Sequence, residues 1–205
     1  MALQTQERGD QLPMERDVLW RPWSKPGLEH LHLTQDDAGI VANGVIIGVD
    51  HQVFRLRYDI SCDARWRVRE VNVNLLDGRG PVIALLADGE GHWFSLSGEP
   101  VLALDGCIDV DISATPFTNT LPIRRLALRP GQSATLSMVY IAVPRLDITA
   151  VEQRYTCLEM TADGGRYRYE SLKQGVSGFT AELPVDRDGL VGDYPEVFRR
   201  VWPIE

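Results

Sequence analysis

Residues 104–126 read LDGCIDVDISATPFTNTLPIRRL, an alternating segment followed by a loop of Thr, Asn and Pro. In the first part, apolar Ile108, Val110 and Ile112 alternate with polar side chains, which predicts a β-strand because strand side chains repeat every two residues. The loop at 115–122 then leads into two arginines. Carboxylate, hydroxyl, amide and guanidinium groups are thus concentrated in one stretch, which is the predicted site.

Most of the remaining chain shows the same two-residue alternation, separated by turn residues. Segment 53–60 is the clearest strand. The apolar parity changes between residues 66–68 and 71–75, which predicts a β-bulge near Glu70. Asn43-Gly44 inside segment 40–49 predicts a second tight turn. No helical pattern is long enough for a βαβ crossover, so a doubly wound sheet is not expected.

Two further assignments concern the segments around and after the site. Segments 123–128 and 134–143 are predicted to form a hairpin around Arg129-Pro130-Gly131-Gln132-Ser133. Segment 195–201 is the one helix candidate, because its apolar residues share a helical stripe and Pro195 suits a first turn.

These patterns predict an all-β protein of about 10–12 antiparallel strands in a meander. The sheet is expected to be either bent and half-open or closed as a barrel, with one short C-terminal helix. Residues 1–17 are predicted to be a flexible tail, and residues 18–205 a single β-rich domain.

Composition excludes several classes of function. The chain has 205 residues, with 29 acidic against 21 basic side chains and a formal charge of −8. It lacks the basic cluster that nucleic-acid binding requires. It has no apolar run long enough to span a membrane as a helix, and no apolar secretory signal. Three well-separated cysteines favour reduced thiols, so a cytoplasmic location is expected.

The candidate site allows more than one kind of chemistry. Asp109 and Asp111 are expected to share a strand face about 6–7 Å apart, a separation compatible with a glycosidase carboxylate pair. An EF-hand is excluded because its glycine and distal glutamate are missing. Arginines could instead pair with these aspartates in a structural network. The candidate ligand-binding residues are Asp105, Asp109, Asp111, Thr115, Thr118, Asn119, Arg124, Arg125, Trp66 and Tyr155.

The motif at 105–126 resembles a bacterial family described as glycolipid-binding proteins and long known as a domain of unknown function. Trp66-Arg67-Val68-Arg69 and Gln153-Arg154-Tyr155 agree with the same family, and the resemblance extends over roughly residues 20–198. It implies a β-rich fold similar to that of the periplasmic lipoprotein carriers, whose half-open sheets hold acyl chains.

We therefore expect a concave apolar interior that holds a lipid or glycolipid, with no cofactor and no metal. In this hypothesis Asp109, Asp111, Asn119 and Arg124 or Arg125 contact a polar head group. The alternatives are a hydrolase that acts on a sugar or lipid conjugate through Asp109 and Asp111, and a structural or interaction domain without a ligand. Binding is favoured over catalysis.

Overall fold

A computed structural model of the protein describes residues 14–78, 81–173 and 176–203. The described chain forms thirteen strands and one short α-helix. The strands are β1 (Met14–Pro22), β2 (Gly27–Asp36), β3 (Gly39–Val49), β4 (Val53–Cys62), β5 (Val68–Leu75), β6 (Val82–Ala87), β7 (Trp93–Ser95), β8 (Asp109–Ile112), β9 (Ser133–Ala142), β10 (Asp147–Met160), β11 (Gly164–Lys173), β12 (Val176–Asp186) and β13 (Phe198–Trp202). The helix α1 is Thr120–Leu126, and two single 3-10 turns lie at Leu102–Leu104 and Phe117–Asn119.

The strands form two sheets. The first has eight strands in the order β13-β1-β2-β3-β4-β5-β6-β7, and the second has five in the order β12-β11-β10-β9-β8. Only the β8–β9 pair among the described strands is parallel; the other neighbours are antiparallel. The sheets do not close into a barrel, and the all-β prediction is confirmed.

Two apolar clusters stabilise this arrangement. The larger joins the inner face of the eight-stranded sheet to β8 and β9, so it lies between the two sheets. The smaller covers β10, β11 and β12 with Ile123 of α1 and with Val191, Tyr194 and Phe198. Phe117 and Leu121 pack in the larger cluster, whereas Ile123 packs in the smaller one. The loop and α1 therefore lie between the two clusters, and polar side chains of the loop are buried there.

The predicted bulge near Glu70 is present. Ser61 pairs with Glu70, whereas the next residue, Cys62, pairs with Val68, so Arg69 is the extra residue on β5. The parity change in the sequence follows from this insertion, because one additional residue moves the following side chains to the opposite face.

The predicted C-terminal helix at 195–201 is wrong. Tyr194 and Phe198 exchange backbone hydrogen bonds of 2.8 and 2.9 Å around a tight turn, and β13 then pairs with β1. A seven-residue helix is marginal by itself, whereas the edge of β1 offers unpaired backbone groups that β13 satisfies. The apolar residues that suggested a helical stripe instead belong to this turn and edge strand.

The predicted strand at 123–128 is also wrong, because Thr120–Leu126 forms α1. Pro122 lies in the first turn of the helix. Backbone N–H groups there make no hydrogen bond within the helix, so the missing N–H of proline costs nothing. The two arginines lie in the last turn, where cations favour the helix dipole. The helix ends at Ala127, which has φ 45° and donates its N–H to the Ile123 carbonyl.

Asn43-Gly44 is not a turn, because β3 runs without interruption from Gly39 to Val49. Gly44 lies opposite Tyr58 on β4, and the Tyr58 ring occupies the space that a Cβ at position 44 would fill. Glycine is therefore required at position 44 for close packing, and it lets Tyr58 reach across the inner face of the sheet.

The predicted tail at 1–17 falls mainly on residues 1–13, which lie outside the described residues. Met14 already begins β1, which pairs with β2 from Met14 opposite Gln35.

Candidate ligand-binding site

The loop that follows β8 folds back over it. Asp109 and Asp111 project from the same face of β8, as the alternation of the strand requires. The Ile112 N–H donates to the Thr118 hydroxyl at 3.3 Å, and the Thr115 hydroxyl accepts from the Phe117 N–H at 3.0 Å. These short-range hydrogen bonds satisfy backbone N–H groups of the loop that are buried in the interior.

Asp109 forms a closed ion pair with Arg125. The Arg125 Nε lies 3.1 Å from each carboxylate oxygen, and Nη2 lies 2.6 Å from Oδ2. The Asp109 side chain is fully buried and that of Arg125 is 14% exposed. Burial raises the pKa of Asp109, and Arg125 opposes the rise. Since the guanidinium engages both oxygens, this pair corresponds to the structural network that the sequence allowed.

Asp111 accepts hydrogen bonds from two side chains, but no cation lies within ion-pair distance of it among the described residues. It accepts from the Gln153 amide at 2.6 Å and from the Thr118 hydroxyl at 3.2 Å. Burial raises the pKa of Asp111, and these two hydrogen bonds oppose the rise. A carboxylate has about four lone-pair positions, so Asp111 retains capacity to accept hydrogen bonds from a ligand.

Asn119 and Tyr155 extend this polar network. The Tyr155 hydroxyl donates to the Asn119 Oδ1 at 2.9 Å, and the Asn119 amide donates to the Pro116 carbonyl at 3.1 Å. Tyr155 is 1% exposed, and its ring packs edge-on against Tyr169 with centroids 5.5 Å apart. The network therefore connects the loop after β8 to the inner face of β10 and β11.

Glu29 is a further buried carboxylate, outside the set of site residues that the sequence predicts. It is 2% exposed, and its Oε1 accepts hydrogen bonds from the Tyr58 and Thr115 hydroxyls at 2.6 and 2.5 Å. Its Oε2 is buried without a hydrogen-bond partner. Burial raises the pKa of Glu29 to about 8, against the two hydrogen bonds. Glu29 is therefore mainly protonated at neutral pH.

Two cavities adjoin this network. The polar cavity, of about 140 Å³, is lined by Asp111, Ile112, Ser113, Thr115, Asn119, Tyr140, Tyr169, Tyr194, Val197 and Phe198. The apolar cavity, of about 270 Å³, is lined by Pro22, Trp23, Ser24, Lys25, Ile46, Gly48, Val49, Asp50, Phe54, Ser113, Ala114, Val143, Glu196, Val197 and Phe198. The two cavities share Ser113, Val197 and Phe198, so they meet at this wall.

The structure brings only some of the predicted residues together. The polar cavity gathers Asp111, Thr115 and Asn119, with Thr118 and Tyr155 immediately behind it. The buried pair of Asp109 and Arg125 is absent from the lining of both cavities. The predicted aspartate cluster therefore presents one carboxylate to the polar cavity.

Three predicted residues lie elsewhere. Arg124 stacks over the Trp66 ring, with its guanidinium carbon 5.2 Å from the ring centre. Arg124 also lines a separate cavity of about 320 Å³, whose other lining residues are Met14, Gln35, Asp36, Asp37, Ala64 and Asp188. Asp105 is exposed in the turn after Leu102–Leu104. Arg124 and Arg125 therefore diverge, and of the two only Arg125 pairs with an aspartate among the described residues.

The residues that sequence reasoning missed carry a recognisable signal. Glu29 shares the parity of Leu31 and Leu33, both fully buried, so its position on β2 already places a carboxylate on the core face. Gln153 shares the parity of Tyr155 in the same way and is 2% exposed. A polar residue at a strand position that alternation assigns to the buried face therefore indicates a buried polar group that needs hydrogen-bond partners.

The described residues contain neither a cluster of metal ligands nor a helix that could cross a membrane. They contain no group of three or more His, Cys, Asp or Glu side chains arranged to hold a metal ion. No helix within the same described ranges has the length and hydrophobicity needed to cross a membrane.

Comparison with known proteins identifies the family. The sequence profile of the family described as "Putative glycolipid-binding" matches residues 17–200. The chain belongs to this family. No curated protein matches the chain significantly.

Solved structures with similar folds include two proteins from domain families of unknown function. A DUF1089 family protein from Pseudomonas aeruginosa is 40% identical over 87% of this chain and 95% of its own, with a TM-score of 0.73. A beta-barrel-like protein of the DUF1849 family from Brucella abortus is 13% identical over 92% of this chain and 93% of its own, with a TM-score of 0.52. At 13% identity, the similarity to the Brucella abortus protein shows a shared fold and nothing more.

Proposed function

We propose that the protein binds an amphipathic lipid with a hydroxylated head group, placing the apolar chain in the apolar cavity and the head group in the polar cavity. The observation that carries this proposal is that the two cavities meet at Ser113, Val197 and Phe198. One molecule that spans this wall would contact an apolar surface at one end and a carboxylate at the other. The family description supports the same class of ligand.

The apolar cavity has the chemistry of a chain-binding site. Ile46, Phe54 and Val143 contribute aliphatic and aromatic surface, and Ile46 is 4% exposed. Burying each CH₂ group of a ligand contributes about 0.8 kcal/mol, or about fourfold in affinity. A series of alkyl glucosides that differ only in chain length is therefore expected to bind more tightly by about this factor per carbon until the cavity is filled.

The polar cavity favours a neutral, hydroxyl-rich head over a phosphate. Its described lining contains Asp111 and no lysine or arginine. Tyr169 and Tyr194 pack edge to face with ring centroids 6.3 Å apart, and aromatic rings offer apolar faces beside polar hydroxyls. Sugar hydroxyls can donate to the Asp111 side chain, whereas the described lining offers a phosphate no lysine or arginine as a counter-charge.

The hydrolase alternative receives less support from this geometry. It needs two carboxyl groups on opposite sides of one bond, but Asp109 is held by Arg125 and does not line the polar cavity.

The first test blocks the apolar cavity. Ala114→Trp adds a large side chain to the lining and is expected to abolish binding of octyl glucoside monomers, measured by calorimetry. The matched control is Val53→Trp, since Val53 is 72% exposed and absent from both cavity linings. If Ala114→Trp keeps its melting temperature and still binds octyl glucoside normally, the alkyl chain of the ligand does not lie in the apolar cavity.

The second test addresses the head group. Asp111→Asn is expected to weaken octyl glucoside binding by about 10- to 100-fold, the usual effect of losing hydrogen bonds to a charged group. Asp105→Asn is the matched control, because Asp105 is exposed and lies outside both cavities. Equal affinities for the two variants would contradict the assignment of the head group to the polar cavity.

A further inference from the structure

The outer face of the eight-stranded sheet carries an apolar surface at the end where β3 joins β4. Leu28 and Ile47 are cross-strand neighbours and are 42% and 51% exposed. Val45 follows on the same face of β3 at 43%, and Val53 at the start of β4 is 72% exposed. These four residues, which we call the outer apolar patch, are closely placed, unlike the scattered single apolar residues of an ordinary surface.

Cations surround the outer apolar patch. Arg55 lies opposite Ile47, and Arg57 lies opposite Val45. Arg21 is exposed beside buried Trp20 and therefore faces the same side from β1. Within the described residues, no carboxylate lies within ion-pair distance of Arg21 or Arg55. Among the described residues, the patch thus carries two arginines without an acidic partner, in a chain whose formal charge is −8.

The acidic groups near the patch include Asp50, Asp59 and Asp77, and Asp77 directly follows Leu76, whose N–H donates to the Arg55 carbonyl at 2.8 Å. Asp59 is bound by Arg57, and Asp50 lies 3.4 Å from Lys25. The remaining outward carboxylates of β1 are Glu15 and Asp17, toward the opposite end of that strand. The basic groups near the patch, Arg21, Lys25, Arg55 and Arg57, therefore outnumber Asp50, Asp59 and Asp77, whereas acidic groups lie at the opposite end of β1.

The outer apolar patch and the apolar cavity lie at the same end of the eight-stranded sheet but on its opposite faces, because neighbouring strand residues point to opposite sides. Val53 is adjacent to Phe54, and Ile47 is adjacent to Gly48; Phe54 and Gly48 both line the cavity. Lys25 and Asp50 line it as well. A surface that contacts the patch would therefore meet the rim of the cavity at the β3–β4 turn, where Asp50 lies.

We propose that the outer apolar patch, with Arg21 and Arg55, docks the protein onto the surface of an anionic lipid bilayer. The charges match such a surface, since cations close to an anionic leaflet are attracted and the acidic remainder of the protein is directed away. The apolar side chains enter the interfacial region beside the cavity rim. A role in ligand exchange rests on the proposed function, but the docking does not depend on it.

Vesicle flotation tests the proposal. The protein is expected to float with phosphatidylcholine vesicles that contain phosphatidylglycerol and not with phosphatidylcholine alone, and to be released by high salt. Arg21→Gln with Arg55→Gln is expected to weaken binding by about 30-fold. The control, Arg145→Gln with Arg168→Gln, removes one charge in the β9–β10 turn and one on β11, and is expected to bind normally.

A second pair of variants separates the apolar contribution from the charge contribution. Ile47→Asp is expected to abolish flotation, whereas Val41→Asp is not, although both residues lie on the outer face of β3 with similar exposure. Binding that is insensitive to Ile47→Asp, or equal binding to both kinds of vesicle, would overturn the proposal. So would the absence of flotation together with concentration-dependent self-association that Ile47→Asp abolishes, because the patch would then join two copies of the chain.

Calorimetry with octyl glucoside distinguishes this proposal from the proposed function. Arg21→Gln with Arg55→Gln is expected to bind the glucoside normally while losing the vesicles. Flotation without glucoside binding would support the docking and contradict the proposed cavity ligand. Glucoside binding without flotation would contradict the docking alone.

Discussion

The titration of Glu29 makes the free energy of unfolding depend on pH, and Glu29→Gln is expected to remove this dependence. Burial raises the pKa of Glu29 from 4.5 to about 8. Because the folded-state pKa is the higher one, the contribution of the protonated carboxyl to stability is complete below about pH 4.5. It is lost as the pH rises toward 8, since the unfolded chain releases this proton first.

The magnitude follows from the shift. Each pKa unit corresponds to about 1.4 kcal/mol, so a shift of about 3.5 units corresponds to about 5 kcal/mol over the full titration. Between about pH 5 and pH 9 the expected loss is about 4 kcal/mol. Glu29→Gln keeps an acceptor for the Tyr58 and Thr115 hydroxyls but cannot ionise, so it is expected to avoid this loss.

The assay is urea unfolding followed by tryptophan fluorescence at fixed ionic strength across this range. Near pH 5 the wild-type protein and Glu29→Gln are expected to have similar free energies of unfolding, because both side chains are neutral. Toward pH 9 the variant becomes more stable by about 4 kcal/mol. Glu15→Gln, whose side chain is 69% exposed in the native chain, controls for removing a carboxylate from the surface. Parallel profiles for the wild type and Glu29→Gln would refute the assignment of a buried, titrating Glu29.

Two further substitutions test the packing that positions the site. Arg125→Ala leaves Asp109 buried without its cation, and it is expected to lower the free energy of unfolding by about 3–5 kcal/mol, measured by urea unfolding. Gly44→Ala places a methyl group in the space of the Tyr58 ring, and it is expected to cost about 1–3 kcal/mol, measured as a lower melting temperature.

Each of these substitutions has a control in the same fold. Arg124→Ala removes a guanidinium that stacks on Trp66 without a carboxylate partner in the described residues, so it is expected to cost clearly less than Arg125→Ala. Gly178→Ala is the control for Gly44→Ala, since a Cβ there would lie 3.6 Å from its nearest neighbour. Equal losses within either pair would contradict the corresponding packing argument.

The sequence predicted the sheet architecture because that architecture is encoded in two-residue alternation. The bulge beside Glu70 is an example, since its effect on apolar parity is local and visible in the sequence. The C-terminal strand could not be predicted in this way, because it depends on the free edge of β1, which is about 180 residues away in the chain. Tertiary pairing overrode a local helical pattern there.

The candidate site was predicted in part for the same reason. The loop after β8 contains enough polar groups to indicate the region, and Asp111 and Asn119 do reach the polar cavity. The separation of Arg124 from Arg125 depends on α1, which alternation does not reveal. Gly44 illustrates a second limit, because its function in packing is evident only when the Tyr58 ring lies opposite it.

Photo-cross-linking most directly tests the claim that one amphipathic molecule spans both cavities. The probe is octyl glucoside with a diazirine at the end of the alkyl chain, and cross-linked peptides are identified by mass spectrometry. The account predicts adducts on the lining of the apolar cavity, at Ile46, Phe54 or Val143, that excess octyl glucoside suppresses. Adducts concentrated around Arg124 and Asp36, or adducts that excess glucoside does not reduce, would contradict it.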